Sequence, residues 1–219
     1  MSKLFLGIIE YIHTHRELYV EALKTHLFIG VSVLAVSLAI GIPLGVLGAK
    51  KPRLSAGLIN VFSALKMIPS LALLMVCIPI LGTGFFPAFF ALILHCTPTI
   101  LISTFTGFRQ VDAAVLESAQ AMGMTAPEIF RKVEAPLAMP LIYAGLRTCA
   151  IDSIASTTLA AYIGAGGLGM FIVIGLSYMD FVIIMTGSLT IAVITIFADL
   201  VFYILQKIIM PYERVQNKV

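Results

Sequence analysis

From Thr25 to Ala49 the chain carries no formal charge, and Lys50, Lys51, Pro52 and Arg53 close the run. A bilayer core of about 30 Å is crossed by a helix of about 20 apolar residues, since a helix satisfies its backbone polar groups within one segment. Four further apolar stretches follow. Leu54 to Leu81 is interrupted by Lys66 and bent by Pro69. Gly82 to Gly107 opens on the turn residues Gly82, Gly84 and Pro87 and holds Pro98. Pro136 to about Ala160 carries Arg147 and Asp152, and Phe181 to Gln206 has Asp199 near its end. Of the 219 residues 60% are hydrophobic and 11% charged, against roughly 25% charged in soluble domains. Too little polar surface remains to cover a water-exposed body. The expected class is an all-α integral membrane protein of about five transmembrane helices.

The basic residues set an orientation, because short cytoplasmic loops hold an excess of Lys and Arg. Lys50, Lys51, Arg53, Arg109, Arg131, Lys132, Lys207, Arg214 and Lys218 fall on one side, and Lys3, Arg16 and Lys24 on the other. Five spans with the N-terminus outside and the C-terminus in the cytoplasm satisfy this bias. The start, MSKLFLGIIE, lacks a small-residue cleavage site and does not read as a signal peptide. Glu10 to Lys24 mixes charges with Tyr11, Leu18 and Tyr19, the pattern of a helix lying at a membrane interface. The expected division is an N-terminal amphipathic segment over 1–24, a transmembrane domain over 25–207 with a loop at about 108–136, and a cytoplasmic tail over 208–219.

Several chemistries are disfavoured. Cys77, Cys96 and Cys149 stand apart in apolar runs, without disulfide or metal spacing, and read as lipid-facing or packing residues. His13 and His15, two apart, point to different faces of a helix and make no metal pair. The net charge of +3 implies no nucleic-acid patch. Gly164-Ala165-Gly166-Gly167-Leu168-Gly169 has the G-x-G-x-x-G spacing of a dinucleotide fingerprint, which has a mechanism only between a strand and a helix of a soluble unit. Here it follows a membrane helix, and Tyr162 to Asp180 falls outside on the charge count. The glycines read as a tight re-entrant turn.

The stretch RQVDAAVLESAQAMGMTAPEIFRKVEAP, Arg109 to Pro136, is the polar island of the chain. Ala113, Ala114, Leu116, Ala119, Ala121 and Met122 form helix readily, and Gly123, Thr125 and Pro127 end one helix and start another. Its residues suit either docking into a groove on a soluble partner or an ordinary solvated loop.

Within that island Glu117-Ser118-Ala119, Gly123 and Val133-Glu134-Ala135-Pro136 resemble E-A-A-x3-G-x9-I-x-L-P, the cytoplasmic signature of bacterial ABC importer permeases. Ser118, Val133 and Ala135 depart from it mildly. IPSLALL (Ile68 to Leu74), TFTGFRQVD (Thr104 to Asp112), ESAQAMGMT (Glu117 to Thr125), AGLRT (Ala144 to Thr148) and TLAAYIGAGGLG (Thr158 to Gly169) look like the permeases for glycine betaine, carnitine, choline and proline betaine. The resemblance implies the type I ABC importer permease fold. It also implies a second permease, the same chain or a sister, an ATP-binding subunit that holds ATP and Mg, and an extracellular substrate-binding protein, all at a bacterial cell membrane. With no G-x-x-x-x-G-K-[ST] loop, this chain is expected to bind no cofactor and to be no enzyme itself. Carried over, Glu117, Ser118, Ala119, Gly123 and Met124 fall on the coupling helix, and Gly164, Gly166, Gly167 and Gly169 on an outer turn near the extracellular gate.

Charges within spans normally face a pathway or a partner, and Lys66, Arg147 and Asp152 fall near mid-bilayer. Asp152 pairing with Lys66 or Arg147 would hold helices together. Alternatively, Asp152 or Tyr143 would meet a quaternary ammonium group and Lys66 a carboxylate. Rival readings are a permease for another small amino-acid-like substrate, an ion-coupled transporter or channel using Lys66, Asp152 and Asp199, and a membrane oxidoreductase resting on the glycine spacing. The transporter reading lacks the internal repeat such folds generally carry.

Overall fold

The computed structural model describes residues 2–210; Arg214 and Lys218, counted above toward orientation, lie outside them. The described residues form helices α1 (Ser2–Thr14), α2 (Arg16–Lys50), α3 (Pro52–Met67), α4 (Ser70–Leu81), α5 (Phe85–Arg109), α6 (Ala113–Ala121), α7 (Ala126–Ile129), α8 (Ala135–Ala160), α9 (Gly169–Tyr178) and α10 (Phe181–Ile209). A π-helical turn, Phe130–Glu134, joins α7 to α8, and a 3-10 turn, Ala161–Ile163, follows α8. Four of these segments are long and apolar enough to cross a membrane, and α3 with α4 makes a fifth if the bent pair is one span. The break between them falls at Ile68 and Pro69, where the proline ring removes an N–H and pushes the preceding residue out of helical geometry.

The chain divides into two units. Among the described residues, unit 1 comprises 2–36, 68–96 and 150–200, and unit 2 comprises 37–67, 97–149 and 201–210. In unit 1 the core is built on Phe171, which is fully buried with Leu168 and Ala22. Tyr11 meets the Phe171 ring edge-on at 6.1 Å and Tyr19 lies 6.0 Å from it, while the Tyr19 hydroxyl is 3.0 Å from that of Thr190. Tyr11, Tyr19, Ala22 and Leu23 of the stretch 10–24 thus pack in this core, while Leu18 is 39% exposed. No Pro or Gly interrupts residues 16–24, so they run on as part of α2.

Unit 2 is organised by small residues. A Cβ on Gly41 would stand 2.8 Å from the Ile100 side chain, and one on Gly45 would stand 2.6 Å from that of Thr104 and 2.7 Å from the Leu101 carbonyl oxygen. The Gly41-x3-Gly45 face therefore brings the backbones of α2 and α5 together. In lipid, where apolar side chains gain little by leaving their surroundings, such close packing is a main source of helix association. Between α5 and α8, Gly107 lies against the Ala138 carbonyl and Gly145 against the Ser103 side chain. Cys77, Cys96 and Cys149 are all buried, which makes them packing residues.

Candidate coupling loop and glycine turn

The loop between α5 and α8 belongs to unit 2. Asp112 caps α6, its carboxylate accepting from the Ala114 N–H at 2.9 Å, and Ser118 Oγ donates back to the Ala114 carbonyl at 2.7 Å. Ala119 is the buried residue of α6, so the helix seats one face and leaves Glu117 and Ser118 in the open. Val115 and Met122 are 41% and 75% exposed; spaced i−4 and i+3 from Ala119, they put apolar surface on the Ala119 side of the helix, with Glu117 on the opposite side. Gly123 has φ +80° and no atom within 4 Å of where a Cβ would stand. Glycine is demanded there by the left-handed backbone that ends α6, not by crowding within this chain. Met124, half-buried, returns its N–H to the Ala119 carbonyl at 3.2 Å.

The next turn is fixed by Glu128, whose Oε2 accepts from the Thr125 N–H at 3.0 Å and the Thr125 hydroxyl at 2.8 Å. Lys132 Nζ donates to its Oε1 at 2.9 Å. Glu128 lies ahead of Pro136, outside the apolar stretch. Lys132 foremost, and then Thr125, hold its carboxyl well below the usual carboxylate range. At the foot of the loop Lys50 pairs with Glu134.

The glycine turn belongs to unit 1. Gly164, Gly166 and Gly167 have φ of 79°, 79° and 83°, and Gly169 is needed for a different reason: a Cβ there would overlap the Thr158 carbonyl. The turn is packed rather than open, with Ala165, Gly167, Leu168 and Gly169 buried. His26 supports it. The ring is fully buried, its Nε2 lies 3.1 Å from the Ile154 carbonyl oxygen, and its Nδ1 would be 3.3 Å from a Cβ on Gly167. The turn at Gly82 and Gly84 joins the same structure, since the Gly84 N–H donates to the Ile163 carbonyl at 2.6 Å.

The charges within the spans fall in both units. In unit 1, Asp152 Oδ2 is 3.4 Å from His95 Nε2, and Ser156 Oγ donates to Oδ1 at 3.4 Å. In unit 2, Lys66 occupies the last turn of α3, where the carbonyl end of the helix favours a cation. Arg147 stands 5.6 Å from the Tyr203 ring centroid, and Lys207 stands 4.3 Å from the same centroid. Tyr143 is 5% exposed, and its hydroxyl donates to the Phe202 carbonyl at 2.7 Å. That ring therefore presents no open face to a cation.

His26, His95 and the Lys50–Glu134 pair are contributions that sequence reasoning missed. Each joins residues far apart in the chain, and a lone histidine in an apolar run carries no sequence signal of its partner. Gly41-x3-Gly45 did carry one, as a small-residue motif at helical spacing.

Comparison with known proteins agrees with this architecture. A family model described as a binding-protein-dependent transport system inner membrane component matches residues 41–214. The chain is 40% identical over 174 residues to the carnitine transport permease protein OpuCB of Listeria monocytogenes, covering 80% of each protein. It is 38% identical to the choline transport system permease protein OpuBB of Bacillus subtilis, covering 86% of this chain and 88% of that one. Among solved structures, one of the inward-facing MetNI methionine ABC transporter matches with a TM-score of 0.76 at 22% identity, over 88% of this chain and 96% of that one. A structure of an amino acid ABC transporter with histidines matches with a TM-score of 0.70 at 19% identity, over 93% and 97%. The fold is that of type I ABC importer permeases, and the chain belongs to the family of binding-protein-dependent transport system inner membrane components.

Proposed function

We propose that this chain is the membrane-spanning permease subunit of an ATP-driven importer of quaternary-ammonium osmoprotectants such as glycine betaine, carnitine or choline. The observation that carries the coupling role is α6 itself: a helix between two membrane segments, capped by Asp112, ended by Gly123 and exposing Val115, Glu117 and Met122. A short helix with exposed apolar side chains on one side and a carboxylate on the other suits insertion into a groove, where both sides meet the partner. The substrate class is supported by the relatives named for carnitine and choline transport.

In this reading Glu117, Ser118, Ala119, Gly123 and Met124 meet an ATP-binding subunit that holds ATP and Mg. A second permease completes the pathway, and an extracellular binding protein delivers substrate. The loop faces the cytoplasm, the N-terminus lies outside, and the C-terminus lies inside, which the distribution of Lys and Arg supports. The glycine turn lies on the outer side as part of the gate. Its tight backbone packing lets a small shift of a neighbouring helix change its fit. Lys66, Arg147 and Asp152 are structural or line the path.

The test is purification of the intact complex, identification of co-purifying subunits by mass spectrometry, and uptake of labelled glycine betaine, carnitine and choline by that complex in proteoliposomes. The expected result is a co-purifying ATPase and ATP-dependent uptake of at least one compound, competed by the others. ATP-dependent uptake of an amino-acid-like compound without such competition would overturn the substrate class. Uptake driven by an ion gradient without ATP would overturn the whole reading.

A further inference from the structure

Lys50 and Glu134 carry no role in the family signature or in the docking surface described above. Lys50 is the last residue of α2, and its ammonium reaches both carboxylate oxygens of Glu134. The Glu134 side chain is 10% exposed and that of Lys50 is 44% exposed. The same ammonium stands 5.7 Å from the centroid of the Phe130 ring. That ring stacks on Phe108 at 5.5 Å with 4° between the planes. Phe108 lies in the last turn of α5, and Phe130 and Glu134 bound the π-helical turn that leads into α8.

The end of α2, the end of α5 and the entry to α8 are thus fastened at one point by an ion pair, a cation over a ring and a ring stack. Every residue from Arg109 to Ile129, α6 included, lies between two of those fastenings. A π-helical turn is uncommon and often marks a functional position, because its looser repeat is poorer in packing than an α-helix. An ion pair with one partner half exposed is a weak device for stability alone, since solvent screens it. It is a better device for a contact that must break and re-form, and the half-exposed lysine gives water access to this one.

We propose that the Lys50–Glu134 pair, seated on Phe130, is the latch that transmits movement of the docked loop to α2, the helix that bears His26 in its other half. The proposal rests on the coupling-loop reading given above. Lys50 and Glu134 are positioning residues: they touch neither substrate nor nucleotide, and they set how much transport each ATP produces.

The experiment uses the importer assembled with its ATP-hydrolysing subunit in proteoliposomes, with uptake of labelled choline, carnitine or glycine betaine and phosphate release measured in the same vesicles. The variants are Lys50→Met, Glu134→Gln and the exchange Lys50→Glu with Glu134→Lys. The expected result is that both single variants assemble and hydrolyse ATP while uptake per ATP falls about tenfold, the scale of a coupling between contacting residues, and that the exchange restores most of the yield. Unchanged uptake per ATP in assembled single variants overturns the latch. So does a proportional fall of uptake and hydrolysis, which would make the pair a support for docking only. If the single variants do not assemble, the exchange decides: assembly with near wild-type yield supports the latch, and any other result overturns it. Absence of ATP-dependent uptake in the wild type is a separate outcome, which removes the functional reading and the latch with it.

Discussion

The Nε2 nitrogen of His26 lies 3.1 Å from the carbonyl oxygen of Ile154, and the same ring lies against Gly167. A carbonyl only accepts, so this geometry places the ring proton on Nε2. The histidine thus ties α2 to α8 within unit 1 and forms the surface on which the glycine turn rests. His26→Leu keeps the bulk and loses the bond. The expected cost is about 1 kcal/mol, the usual net value of one hydrogen bond, read as a lower thermal midpoint of the purified complex in detergent together with slower uptake. An unchanged midpoint would show that the bond contributes nothing to the turn's support.

The four glycines of the turn should respond unequally to alanine, because two different demands act on them. At Gly164 a Cβ meets nothing within 4 Å, so Gly164→Ala incurs only the left-handed backbone strain, about 1 kcal/mol. Gly167→Ala adds contact with His26. Gly169→Ala drives a methyl into the Thr158 carbonyl and should be the most damaging of the three. Expression level and thermal midpoint in detergent test that order, and a Gly169→Ala variant as stable as Gly164→Ala would contradict it.

Gly45→Leu should separate α2 from α5, since even a Cβ at that position would stand 2.6 Å from the Thr104 side chain. Overpacking of a close interface costs roughly 1–3 kcal/mol. The expected outcome is poor assembly of the complex in size-exclusion chromatography. Gly57→Leu, where nothing lies within 4 Å, is the matched control and should assemble normally.

Much of this architecture was legible in the chain. The apolar stretches, the break at Pro69 and the turns at Gly82 and Gly164 follow from rules that act over a few residues: charge exclusion from lipid, proline's missing donor and glycine's tolerance of positive φ. The loop was legible because its charge density departs from all that surrounds it, and the structure adds the caps at Asp112 and Glu128. What the sequence did not disclose is long-range. Asp152 gives no hint that His95 is its neighbour, and Lys50, which closes the first span, gives none that Glu134 is its partner. The N-terminal residues show the same limit, because nothing near Tyr11 and Tyr19 in the chain points to Phe171 as the ring they both meet.

Glu117→Lys reverses a charge on the exposed face of α6, and Gly123→Trp places a bulky residue at φ +80°, where a side chain is strained. Both lie outside the apolar stretches, so membrane insertion should remain normal while transport is lost. The check is membrane content by immunoblot beside uptake in cells. Wild-type uptake at normal expression in either variant would remove α6 from the coupling role.

The most direct measurement is uptake of labelled choline, carnitine or glycine betaine by the reconstituted complex, energised in parallel vesicles by ATP or by an imposed ion gradient, with wild-type and Glu117→Lys chains. The expected result is uptake with ATP alone, none with the gradient alone, and loss of the ATP-driven uptake in Glu117→Lys. Accumulation driven by the gradient without ATP, or ATP-driven uptake unaffected by Glu117→Lys, would contradict it.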